Sequence, residues 1–149
     1  MNLPLTLQCQ PNKFTCLPTA FAIATGIPVD DLLQSIGHDG SDLVYGSPRG
    51  FHPQEIIEVL FHRGWACVQF DKITCMSYPG GGTEREVDLK EVMKSPGVIC
   101  GTFNGQQHAA AWDGGRIYNP NGSIHGLVDV DIDVFFATKR VDNESHFTI

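Results

Sequence analysis

The side chains best suited to carry chemistry in this chain are thiols and imidazoles: five cysteines (Cys9, Cys16, Cys67, Cys75, Cys100) and six histidines among 149 residues. Thiol catalysis needs a thiolate, a base to take its proton, and a group that holds the base. Cys16 is the cysteine placed where a helix should begin. Unpaired backbone N–H groups and the helix dipole favour a negative sulfur at such a position. Cys67, Cys75 and Cys100 fall inside strand-like patterns, and Cys9 in the N-terminal segment. A lone cysteine is more often a small buried hydrophobe than a nucleophile, so its surroundings must carry the argument.

His108 is the histidine set in a strand pattern beside a tight hairpin, Gln107-His108-Ala109-Ala110-Ala111-Trp112-Asp113-Gly114-Gly115-Arg116-Ile117-Tyr118-Asn119. Asp-Gly and Gly-Gly are both turn signals. A two-residue Asp113-Gly114 loop would set Asn119 across from His108, and a Gly114-Gly115 loop would set Asn121 there. Directly opposed residues share a face, so either register leaves an amide beside the imidazole to fix its tautomer. Asp113, a turn residue pointing away, is the weaker orienter. The bland reading is a core or edge histidine paired with a turn asparagine.

These groups need a helix start and a hairpin, and the patterning supplies both. Leu17, Ala20, Phe21 and Ala24 predict a helix over Cys16–Thr25, with Pro18 in its first turn and Gly26 as its stop. A second helix is expected over Val29–Ile36, ending at Gly37. His38–Gly50 reads as a loop. Pro53 opens a third helix, with Ile56, Ile57, Leu60 and Phe61 on one face and Gly64 beyond its end. Strands follow at Trp65–Phe70 and Ile73–Tyr78, then a flexible Pro79–Gly82 loop and a short helix over Val87–Met93. Val98–Phe103, Gln107–Trp112, Arg116–Tyr118 and Asp133–Val141 complete the strands, with a frayed tail beyond. Helices first and strands later is the α+β order.

With these residues in view, Gln10-Pro11-Asn12-Lys13-Phe14-Thr15-Cys16-Leu17-Pro18-Thr19-Ala20 resembles the opening of papain-like cysteine peptidases, where a glutamine shortly precedes the nucleophile. The nearest likeness is to bacteriocin-leader (double-glycine) peptidases and the small single domains like them in bacteria and phages. Gln107–Gly114 with Tyr118-Asn119-Pro120 is similar to their second block. The resemblance implies an α+β papain-like fold, with N-terminal helices on a C-terminal antiparallel sheet, and residues 1–149 forming one domain. It assigns Cys16 as nucleophile, His108 as base, Asn119 as orienter and Gln10 as oxyanion donor. Two positions depart from it. Leu17 stands where Gly or Trp usually follows the nucleophile, and Asn119 where leader peptidases carry Asp.

Composition narrows the alternatives. Lys plus Arg total 10 and Asp plus Glu 17, a formal charge of −7 with no basic stripe, so nucleic acid is an unsuitable partner. No signal peptide or membrane-length apolar run is visible. An odd, widely spaced cysteine set in a chain of this size argues against a disulfide scaffold and for a reducing, cytoplasmic setting. No zinc spacing occurs, and no metal or cofactor is expected. His38 and Asp39 read as a solvated loop over the cleft, His52-Pro53 as a helix entry, and Trp65 and Trp112 as core. Gly80-Gly81-Gly82 lacks the Lys-Ser/Thr of a phosphate loop. Asp129, Asp131 and Asp133 read as a charged edge that discourages sheet pairing. The expected activity is a peptidase or isopeptidase acting on a protein or peptide. The same triad could serve transglutamination, deamidation or amine acylation, and a catalytically silent peptide-binding domain is the reading that Leu17 favours.

Overall fold

The structure is a computed structural model that describes residues 5–141, and for residues 74–78 the backbone alone. The tail beyond Val141, expected to fray, lies outside the described residues. In chain order the elements are helices α1 (Cys16–Thr25) and α2 (Val29–Ile36), strands β1 (Leu43–Val44) and β2 (Ser47–Pro48), and helix α3 (Pro53–His62). Then come β3 (Trp65–Asp71), β4 (Ile73–Tyr78), β5 (Gly81–Glu86), β6 (Gly97–Phe103), β7 (Gln106–Trp112), β8 (Ile117–Asn119), β9 (Ser123–His125) and β10 (Val130–Arg140). The class is α+β. Six strands form one antiparallel sheet in the order β3-β10-β6-β7-β8-β9, and β1-β2 and β4-β5 are separate hairpins.

Helix α1 is more enclosed than a single apolar stripe requires: every residue from Pro18 to Thr25 is buried. Small and apolar side chains all round permit this, because the helix lies between the sheet and the other two helices. Gly26 and Gly37 end α1 and α2 at φ of 73° and 94°, where an L-residue with a Cβ would be strained. The first turn of α2 is served from a distance. Gln8 Oε1 accepts from Val29 N (2.8 Å) while its Nε2 donates to the Ile27 carbonyl (2.9 Å). His52 caps α3, its Nδ1 accepting from Gln54 N while Glu55 accepts from His52 N, as a helix entry should.

The sheet separates two apolar clusters. Phe21, Ile23, Leu32, Ile56, Leu60, Val98, Ala109, Ala111, Tyr118 and Phe136 form the helix-side core. Leu89, Met93, Ile99, Ala110, Trp112, Ile117 and Phe135 form the other, beneath the 87–96 segment. Trp112 is core as expected, with its Nε1 donating to the Met93 carbonyl (2.6 Å); Trp65 is only half-buried, under the Arg140 guanidinium. Strand β10 carries a bulge between Ile132 and Val134 that bends it across β6.

Several expectations are corrected. Gly81 and Gly82 are strand, paired with Tyr78 and Ser77, so the loop shrinks to Pro79-Gly80. Val87–Met93 is not a helix; it holds turns and a 3-10 turn at Val92–Lys94. Asp88 accepts from Lys90 N (3.0 Å), an Asx-turn that competes with helix in a segment too short to nucleate one. Within His38–Gly50, Tyr45 and Gly46 at φ 54° and 81° form the turn of β1-β2. His38 is not solvated: it is 6% exposed, stacked on Phe51 (4.3 Å) and bonded to Glu55 (3.1 Å). Asp131 lies near the open end of β10, where β3 no longer pairs, but Asp129 precedes the strand and Asp133 sits in the bulge. Strand β10 itself is interior to the sheet, so the three do not form one face of an edge strand.

Candidate active site

Cys16 opens α1 with the helix field left unspent. Thr15, the residue before it, makes no side-chain cap; its hydroxyl donates instead to the Asn12 carbonyl (2.9 Å). No acidic residue occupies the first turn, and Pro18 has no N–H to offer. The Leu17 N–H is thus free to face the Cys16 sulfur, and the Ala109 N–H of β7 meets the same atom. The third partner is the His108 imidazole. Burial pushes the Cys16 thiol up. The His108 hydrogen bond and charge, with the Ala109 and Leu17 N–H groups, more than reverse this and hold it below its ordinary 9.0. His108 moves the other way. The hydrogen bond with Cys16 raises it, burial opposes, and Asn119 and the negative sulfur add to the rise above 6.5. Both shifts favour a thiolate–imidazolium pair.

The other buried thiols behave oppositely. Burial alone pushes Cys67 up to about 11. Burial, with the charges of Cys16 and Asp133, pushes Cys100 up to about 12. The thiols of Cys9, Cys16, Cys67 and Cys100 are free.

The hairpin beyond β7 positions the imidazole's second partner. Ala111 pairs with Tyr118 and Trp112 with Ile117, leaving Asp113–Arg116 as a four-residue connection centred on Gly114-Gly115. That register sends Asn121 across from His108, yet Asn119 is the residue that bonds it. Asn119 Oδ1 lies 2.8 Å from His108 Nε2, a diagonal contact on the same face. Asn121 instead fixes Asn119, donating its N–H to the same Oδ1 (3.0 Å). Asp113 accepts from Gly115 N (2.8 Å) and Arg116 N (2.7 Å), so its carboxylate holds the turn rather than the histidine. With Nε2 on Asn119, Nδ1 is the nitrogen left for Cys16. Phe103 shields the ring edge-on at 5.3 Å.

Gln10 lies against this turn. Its backbone N–H donates to the Pro120 carbonyl (2.9 Å) and its Nε2 to the Asn12 carbonyl (2.8 Å). One of its two amide hydrogens is therefore in use. Leu17 packs its side chain on the helix-side core. Sequence reasoning missed His125, whose Nε2 lies 3.4 Å from Asn119 Nδ2. It sits in a three-residue strand, too short to show a period; the Asn121-Gly122 turn signal before it was the available clue. No cluster of three or more metal-ligating side chains occurs among the described residues. A cavity of about 350 Å³, lined in part by Phe103, Asn119 and His125, opens beside the base. A larger cleft of about 790 Å³, by Met93, Trp112 and Ile132, lies on the face of the sheet away from the helices and shares Val130 with the smaller cavity.

The pair makes stability depend on pH in a definite way. His108, raised in the folded chain, contributes stability that is full below 6.5 and lost as pH rises through its folded value. Cys16, lowered, contributes stability that is full above 9.0 and lost as pH falls through its folded value. Between 6.5 and 9.0 the two slopes oppose. The Tm difference between the native chain and C16S should therefore be greatest in that window and shrink on both sides; a flat difference from pH 5 to 10 would contradict the ion pair.

Comparison with family models, curated proteins and solved structures finds no match to this chain. Nor is any helix of the described residues long and apolar enough to cross a membrane.

Proposed function

We propose that the chain is a papain-like cysteine hydrolase whose substrate is a protein or peptide amide, cleaved through a thioester acyl-enzyme. The observation that carries this reading is the connected line from Cys16 through His108 to Asn119, with Cys16 lowered and His108 raised. A structural histidine needs no thiol partner, and a structural thiol is pushed up as Cys67 is.

The Cys16 thiolate attacks the carbonyl carbon, and the carbonyl electron pair moves to oxygen. Gln10, through its remaining amide hydrogen, is the proposed donor to that oxyanion. As the tetrahedral intermediate collapses, the C–N bond breaks and imidazolium His108 gives its Nδ1 proton to the departing amine. Neutral His108 then takes a proton from water, whose oxygen displaces the sulfur and restores the thiolate. Asn119 keeps Nε2–H engaged throughout, which fixes the tautomer. The leaving amine must lie on the His108 side, where the cavity beside Asn119 has room for it.

The test is a mixed peptide library incubated with the native chain and with C16A, read by mass spectrometry for new termini. Cleavages in the native sample should disappear with C16A, a loss of at least about 10³-fold. Equal products from both, or none from either, would remove the hydrolase reading. Leu17 supports an open approach rather than a silent site, since its side chain turns to the core and leaves its N–H at the sulfur.

A further inference from the structure

The amide of Asn119 has two possible orientations, and only one serves the base. Oδ1 must face His108 Nε2–H; with the amide reversed, two donors would face each other. One constraint is the Asn121 N–H, which donates to Oδ1. The other end of the amide faces His125. There His125 Nδ1 lies 3.0 Å from the Gly126 carbonyl, which can only accept, so Nδ1 carries the proton. Neutral His125 then offers a bare Nε2, and Asn119 Nδ2 stands 3.4 Å from it as donor. Donors and acceptors thus alternate from Gly126 through His125 and Asn119 to His108, and neither Asn119 link is satisfied if the amide flips.

We infer that His125 is a positioning residue for the reaction: by accepting from Asn119 Nδ2 it locks the amide in the orientation that holds His108 toward Cys16. The inference rests on the Cys16–His108 reading above and extends the triad by one residue. His125 touches neither Cys16 nor His108 among the contacts described, so it acts through Asn119 alone. A glutamine side chain can bring an acceptor oxygen to the place of Nε2, whereas leucine fills the space and accepts nothing.

The experiment compares native chain, H125L and H125Q by the pH dependence of Cys16 alkylation with iodoacetamide, each thiol read separately by mass spectrometry. This needs no substrate. In the native chain Cys16 should react at pH 7.5, where an ordinary imidazole is neutral, well ahead of exposed Cys9. H125L should slow Cys16 at pH 7.5 by about three- to tenfold, the equivalent of one hydrogen bond, and converge on the native rate at high pH. H125Q should restore most of the native profile. Labelling of Cys67 and Cys100 reports any loss of folding, which a purely structural role would show and a positioning role would not. An unchanged profile in H125L, or H125Q falling as far as H125L, would overturn the role of His125 while leaving the thiolate pair intact. Native Cys16 reacting no faster than Cys9 would instead sink the thiolate pair, and the positioning role with it.

Discussion

Replacing His108 with alanine should cost Cys16 its reactivity at neutral pH by about a hundredfold. Burial is the largest influence on this thiol and acts to raise it; the native value is lowered only because His108 and two N–H groups oppose burial. With the imidazole gone, burial should carry Cys16 upward, the direction in which it carries Cys67. A thiol above its ordinary 9.0 is less than about 1% ionised at pH 7. Hydrolysis, which also needs His108 as proton donor, should fall further, by about 10³-fold or more. The sign follows from the shifts. Native Cys16 stays reactive below pH 9.0 and fades only as pH drops through its lowered value, whereas in H108A reactivity should appear only above pH 9. The measurement is alkylation rate against pH for Cys16 alone. Coincident native and H108A curves would show that the histidine does not hold the thiolate.

Gly101→Ala should destabilise the fold more than any surface change, by about 3 kcal/mol or more, with Tm down by about 10 °C. Gly101 pairs with His108 across β6-β7 and lies where the β10 bulge crosses closest. A Cβ at this position would overlap the Asp131 carbonyl and press on Ile132 Cα at 3.0 Å. Both are backbone atoms of a paired strand, so neither can swing aside as a side chain tip could. The strands must separate or the bulge must move, and His108 sits on the far side of the same residue. Thermal unfolding followed by circular dichroism measures the effect. A Tm within about 2 °C of native would show that the bulge yields freely.

Much of the positioning frame was legible because it depends on local signals. The expected bounds of α1 and α2 coincide with those observed, since each ends on a glycine in the left-handed region. The place of Cys16 follows from the first of these helices, and an amide beside His108 follows from any short hairpin after Trp112. Which amide could not be read. The register is the one a Gly114-Gly115 loop predicts, with Asn121 opposite His108, but Asp113 takes the Gly115 and Arg116 N–H groups itself and the diagonal reach to Asn119 depends on tertiary geometry. The glycines of β6 were equally opaque, because Gly101 answers to the bulge of β10, and Gly97 to Phe135 and Phe136 of the same strand, roughly thirty residues later in the chain and without a signature of their own. The 87–93 segment misled because helix-like apolar spacing does not register an Asx-turn at Asp88.

The sheet order places β8 and β9, three residues each, at one margin, while α1 lies buried between the sheet and its companion helices. Amide exchange should accordingly be slowest in α1 and much faster at residues 121–125, which are largely exposed and have few ladder bonds to open, than at buried 117–119. The nucleophile and its orienter thus belong to the enclosed part of the chain, and His125, which meets the orienter's amide, to a part that can fray on its own. Each brief opening of that margin would release the Asn119 amide while the thiol stays in place, so the amide's orientation answers to a local equilibrium rather than to the stability of the whole chain.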